Sequence, residues 1–173
     1  WQNKDTVVIG KNQTPWRECK VHTLEEDGGH LARRLSGGGA VFHDLGNLNF
    51  TFLADREFYD IQRQLDVIEA AVSSFGLATE RSGRNDLTAD GKKFSGNAFY
   101  KTADRAYHHG TLLISSDMER VGKYLNVSER KLNSHSVSSV RSRVTNLSGL
   151  SSAITVEGME KRLWETFSEI YSP

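Results

Sequence analysis

The sequence predicts an α/β (α+β) fold, a mixed β-sheet packed by helices, and three observations carry that prediction. Short β-branched or alternating apolar runs recur through the first two thirds of the chain. Apolar positions at spacings of three and four appear in two longer segments. No linker, repeat or low-complexity tract divides the 173 residues, which are enough for one domain with a real core.

Thr6 to Ile9 is a β-branched run closed by Gly10, and Leu31 to Leu35 leads into the glycines at 37 to 39. Ala40 to His43 and Leu48 to Leu53 read as strands separated by the turn residues Asp44 to Asn47. The period then changes: Ile61, Leu65, Ile68, Val72 and Phe75 share a helical face, and Gly76 is placed to end that helix. Strands return at Lys93 to Tyr100 and His108 to Ser115. Ser116 and Glu119 have capping-box spacing ahead of a short helix carrying Met118, Val121 and Leu125. A last helix from Thr155 aligns Val156, Met159, Leu163, Phe167 and Ile170.

Composition excludes several classes. Lys plus Arg and Asp plus Glu both number 22, so a nucleic-acid binder relying on a general basic field is not expected. No apolar run approaches the roughly 20 residues that span a bilayer. A single cysteine, Cys19, rules out an intrachain disulfide framework and favours a reducing compartment.

Five segments bear on chemistry. Arg33 to Asp44 places Arg34, Ser36 and the successive glycines Gly37, Gly38 and Gly39 before Ala40, Val41, Phe42 and His43. Such a backbone can turn several N–H groups toward one anion, with Arg34 adding a fork of donors. It is neither a Walker loop nor a dinucleotide fingerprint, because its glycines lead into a strand. Ser82 to Leu87 contains Asn85 and Asp86, read either as turn chemistry or as an oxygen ligand of the kind Mg²⁺ takes beside substrate phosphates. Lys92 and Lys93 precede Phe94-Ser95-Gly96. Either ammonium could meet a phosphate or a developing charge. His108 and His109, neighbours on a strand, point to opposite faces and cannot chelate one metal easily. The basic stretch Ser139 to Leu147 reads as an edge strand or a loop closing over a polyanion.

Taken in order, these segments resemble the lipoate–protein ligase family. The shared motifs are Val7-Val8-Ile9-Gly10, Asn12-Gln13 with Pro15-Trp16 and Glu18-Cys19, and the run from Arg33 to Asn47. They continue with Gly83 to Leu87, Lys93 to Gly96, His108 to Leu113 and Ser139 to Leu147. The resemblance implies a fold shared with biotin–protein ligases. It also implies a two-step reaction in which lipoate and ATP give lipoyl-AMP, which a lysine of a lipoyl domain then attacks. It implies that Arg34, Ser36, Gly37, Gly38, Gly39, Ala40, Val41 and Phe42 hold ATP and the acyl-adenylate. Lys93, rather than Lys92, becomes the catalytic lysine that contacts lipoate carboxylate and α-phosphate. Asp86 becomes the Mg²⁺ ligand, while Val8, Gly10, His43, Asn85 and His109 line the lipoate or nucleotide pocket.

The implied partners are lipoate, the lipoyl domains of 2-oxoacid dehydrogenase complexes and the glycine-cleavage H protein, with no nucleic acid and no membrane. The implied location is cytoplasmic, or mitochondrial in a eukaryote. Residues 1–173 are expected to form a single biotin/lipoate ligase-type catalytic domain without the family's N-terminal helical segment and C-terminal accessory domain. The nearest alternative is an ATP-independent lipoyl or octanoyl transferase of the same fold, for which Cys19 would be the nucleophile to weigh. Biotin ligation and a non-catalytic adenylate-binding domain are further alternatives.

Overall fold

The computed structural model describes residues 1–83, 85–126 and 144–172. Its strands divide between two sheets. The smaller has β1 (Thr6–Ile9) at its centre, parallel to β2 (His30–Arg33) and antiparallel to β3 (Val41–His43). Val7 and Ile9 point one way into a small core with Leu24, Phe42 and Tyr124. Two short helices, α1 (Pro15–Glu18) and α2 (Val21–Glu26), fill the β1–β2 connection.

The larger sheet is antiparallel, in the order β4-β8-β7-β6-β5. Its strands are β4 (Asn47–Asp55), β5 (Thr79–Ser82), β6 (Asp86–Ala89), β7 (Lys92–Lys101) and β8 (Arg105–Leu113). Leu48 and Phe50 on β4, Phe94 on β7 and Leu112 on β8 face the main core. Helices α3 (Ile61–Ser73) and α5 (Val156–Tyr171) cover that face with Ile68, Val72 and Met159.

Helix α3 starts where the Asp60 carboxylate accepts from the N–H groups of Gln62 and Arg63, and Gly76 (φ +83°) follows its end, as expected. The Thr155 hydroxyl likewise caps α5 by accepting from Gly158 N–H at 3.0 Å. Helix α4 (Met118–Tyr124) is capped differently from the expectation. Asp117, not Ser116, accepts from Glu119 and Arg120 N–H, because Ser116 is buried and its own N–H is bound by Asn146. Strand β8 also stops before Ser115, since the carbonyl of Gly46 takes the N–H groups of both Ile114 and Ser115.

Candidate functional site

A cavity of about 710 Å³ opens between the two sheets. The larger sheet forms its floor through strand alternation. Asn49, Thr51 and Leu53 of β4 stand opposite Thr111, His109 and Tyr107 of β8. Thr111 and His109 in turn stand opposite Gly96 and Ala98 of β7, and Gly96 is opposite Asp86 of β6. The residues at 96 and 98 are small, which leaves room above them, and over Gly96 that room is taken by the Lys93 side chain.

Lys93 reaches this face through a register shift. Gly96 lies three positions further on, an odd spacing that in a regular strand would send the two to opposite faces. Between Leu87 and Thr88 of β6 the pairing slips: Leu87 meets Ser95, whereas Thr88 meets Lys93. Phe94 is the extra residue, swallowed by the core, and the bulge re-aims Lys93 onto the cavity side. Its ammonium lies over Gly96, where an added Cβ would come within 3.2 Å of Nζ, and it pairs with the Asp86 carboxylate at 2.7 Å. Val144 bridges to Lys93 on the strand's other side, with Thr145 N–H donating to the Lys93 carbonyl at 2.9 Å.

The roof is the loop from Arg34 to Val41. Arg34 donates to the carbonyls of Gly37, Gly39 and Val8, at 2.9, 2.6 and 3.0 Å respectively, so it staples the loop to β1. Most of its fork is committed to the loop, and it meets the cavity mainly as a positive charge. Burial lowers its pKa from the usual guanidinium value without threatening its charge. Arg33 ties down the neighbouring turn through the carbonyls of Gly10, Lys11 and Gln13. Gly38 sits at φ +95°, and its carbonyl passes so close to Gly10 that no side chain fits there.

Of the residues expected from sequence, Val8, Arg34, Gly38, Gly39, Ala40, Val41, His43, Asn85, Asp86, Lys93 and His109 line this one cavity. Ser36, Gly37, Phe42 and Gly10 do not. Ser36 is buried behind the loop, its hydroxyl 2.6 Å from His109 Nε2, so it orients that ring. Phe42 packs against Tyr124 in the small core, with ring centroids 5.0 Å apart. Arg84 and residues 139–143 of the basic stretch lie outside the described residues. Sequence reasoning missed Asn49, Thr51, Gly96, Tyr107 and Thr111, although the alternation of β8 about His109 carried a signal for Tyr107 and Thr111.

The histidines separate by face as expected. His108 is buried in the core, 2.8 Å from Asn97 and 3.2 Å from Gln64, with its pKa pushed down to about 3 by desolvation and then by His109. His109 is lowered by burial and by Arg34. His43 drops to about 4 through burial first, then the Arg34 charge. Its Nδ1 lies 3.2 Å from Asn3 Nδ2, which leaves Nε2 as a buried donor with no partner among the described residues. All three rings are therefore neutral at pH 7.

No group of three or more His, Cys, Asp or Glu among the described residues could hold a metal by itself. One carboxylate, Asp86, beside an amide, Asn85, fits a Mg²⁺ ion that brings phosphate oxygens and water with it. Cys19 lies in the small core and does not line the cavity; burial and then Glu18 raise its thiol pKa, which disfavours the thiolate a nucleophile needs. A second groove of about 640 Å³, between β4 and α5, is largely apolar and lacks convergent charged groups.

Comparisons place this arrangement among known proteins. The family model described as the lipoyl protein ligase A/B catalytic domain matches residues 1–168. A lipoate-protein ligase A of Psychrobacter cryohalolentis is 48% identical over 171 residues, covering 99% of this chain and 50% of that protein. The crystal structure of P. falciparum LipL1 in complex with lipoate aligns with a TM-score of 0.86 at 37% identity, over 99% of this chain and 48% of the other. A lipoate-protein ligase A bound with ATP aligns with a TM-score of 0.81 at 26% identity, over 98% and 70%. The chain thus spans about half the length of the first two.

Proposed function

The chain belongs to the lipoyl protein ligase A/B catalytic-domain family, and from that premise we propose that it activates lipoate with ATP and passes the lipoyl group to a protein lysine. The observation that carries this reading is the convergence of Lys93, the charge of Arg34 and the stapled glycine loop on one cavity. In the first step a lipoate carboxylate oxygen attacks the α-phosphorus of ATP, pyrophosphate leaves and lipoyl-AMP forms. This step needs no protein nucleophile. It needs two anions held in line while the charge between them is neutralised.

Lys93 is suited to that task because it can bridge the carboxylate and the α-phosphate from the floor, with Arg34 and the loop amides opposite. Mg²⁺ carried on the triphosphate would be held by Asp86, with Asn85 alongside, and would supply further charge neutralisation. Val8, Ala40, Val41, Leu53 and Ala98 give the cavity an apolar wall that suits an acyl chain. In the second step the acceptor amine attacks the acyl carbon and AMP leaves. The acceptors on this reading are the lipoyl domains of 2-oxoacid dehydrogenase complexes and the glycine-cleavage H protein, with residues 1–173 acting as the catalytic domain. Among the described residues no helix is long and apolar enough to cross a membrane.

The test is lipoate-dependent exchange of labelled pyrophosphate into ATP with Mg²⁺ present. Exchange that requires lipoate is the expected result. Acyl transfer from a lipoylated protein donor without ATP would overturn the proposal in favour of a transferase.

A further inference from the structure

A chain of buried polar groups runs from helix α3 to the cavity floor. Gln64 on α3, His108 on β8 and Asn97 on β7 are all buried, in a core otherwise built of Phe50, Phe52 and Phe99 around the His108 ring. Asn97 Nδ2 donates to the carbonyl of Asn85 at 3.0 Å, so its Oδ1 faces His108 Nε2 at 2.8 Å. The neutral ring donates there from Nε2, and Gln64 Oε1 lies 3.2 Å from its Nδ1; a half-turn of the Gln64 amide about its last bond would present Nε2 as the donor that this Nδ1 accepts from. The backbone N–H of Asn97 donates to the same Asn85 carbonyl at 2.7 Å. From His108 onward the roles are fixed, His108 to Asn97 to Asn85, and the series ends on one atom, the carbonyl immediately before Asp86.

Among the described residues, both hydrogen bonds to the Asn85 carbonyl come from Asn97, one from its backbone N–H and one from its side chain. Gly83 turns at φ +58°. Behind Asn85 and Asp86 lies a small cavity of about 100 Å³ bordered by Leu65, Arg81, Leu87 and Phe99, so apolar packing does not fill the space beneath them. Position there is set by hydrogen bonds. Burying such a series is costly unless it is fully satisfied, and satisfied networks specify a unique arrangement.

We infer that Asn97, held by His108 and Gln64, is a positioning residue that fixes Asp86 opposite Lys93 by clamping the Asn85 carbonyl. Its bearing on catalysis rests on the adenylation reading above; its bearing on the Lys93–Asp86 pair does not. The substitution Asn97→Asp keeps the shape and the acceptor for His108 but replaces the donor to Asn85 with a repelling oxygen. Asn97→Ser removes the donor without adding charge, in case the first variant fails to fold.

The measurement is the rate at which acetic anhydride labels Lys93, read by peptide mass spectrometry against Lys92 in the same protein, with thermal unfolding checked alongside. Asp86→Asn serves as the reference for a released lysine. Loosening a half-exposed ion pair should raise Lys93 labelling about threefold in Asp86→Asn and in the folded Asn97 variants. Lys92 should stay unchanged, and a general loss of stability would raise both. In pyrophosphate exchange the same variants should lose kcat by roughly tenfold to a hundredfold, as misplacement of a reacting group does, with KM for ATP held. Unchanged Lys93 labelling in folded Asn97 variants, or no response even in Asp86→Asn, overturns the inference. Absence of exchange by the unsubstituted chain, beside the expected labelling pattern, would count against the ligase reading and leave the positioning role standing.

Discussion

At the scale of single residues, Lys93 and the buried histidines make opposite demands on charge. Lys93 has to carry a full positive charge to where anions meet. Replacing it by Met preserves the stem that crosses Gly96 and removes only the ammonium. Lys93→Met should therefore keep its thermal transition and lose pyrophosphate exchange by about 10² to 10³, the usual range for an electrostatic stabiliser. Activity within a few fold of the parent in a folded variant would remove Lys93 from the mechanism. The histidines must stay neutral. His108 and His43 titrate near 3 and 4 when folded, against about 6.5 when unfolded, so in between the unfolded chain binds more protons. Stability from these two groups is present above pH 6.5 and is lost as pH falls toward 4. Urea unfolding should show roughly 2–4 kcal/mol less stability at pH 5 than at pH 7 from this source. His108→Gln should flatten the slope, whatever it does to stability at pH 7; an unaltered slope would show that His108 does not govern it.

At the scale of elements, pattern strength decided what could be read. Strands β1, β4, β7 and β8 and helices α3 and α5 bury regular faces, and their periods stand out from the residues alone. Strand β5 was illegible because its side chains are mostly exposed, with Glu80, Arg81 and Ser82 all accessible at the sheet edge. Helices α1 and α2 run only four and six residues, too short to display a period. The bulge that turns Lys93 toward Asp86 depends on which residues of β6 pair with which of β7, information that no local pattern contains. The site residues themselves were largely legible as motifs, whereas the inward turn of Ser36 and Phe42 was decided by packing against His109 and Tyr124. Gly10 shows how tightly one element constrains another. Gly10→Ala would drive a methyl group into the Gly38 carbonyl and push the roof loop off β1. Overpacking of this kind costs about 1–3 kcal/mol, and nucleotide affinity measured by calorimetry should fall with it. Unchanged affinity would mean that the loop's path over β1 is not what shapes the binding surface.

At the scale of the whole molecule, the cavity lies between two cores that share few groups. The small core is built on Val7, Ile9, Leu24, Phe42 and Tyr124, and the main core on the larger sheet with α3 and α5. Val8 points between them, into the cavity. A ligand reaching from Lys93 on the floor to the Arg34 loop on the roof would therefore join the two cores, beyond filling a hole in one of them. Ligand that binds only the folded state adds about 2.7 kcal/mol at a concentration of 100 Kd. For a chain of this length that corresponds to a rise in Tm of roughly 5–10 °C. Lipoate with a non-hydrolysable ATP analogue and Mg²⁺ should produce such a rise, and Lys93→Met should reduce it sharply because the bridge loses its floor contact. Met159→Ala, a truncation in the main core at a position that lines neither the cavity nor the apolar groove, should cost the roughly 2–5 kcal/mol typical of such truncations, lower the starting Tm and keep the ligand-induced rise. A rise that survives Lys93→Met would locate the ligand elsewhere, with the apolar groove beside β4 a space of comparable volume among the described residues.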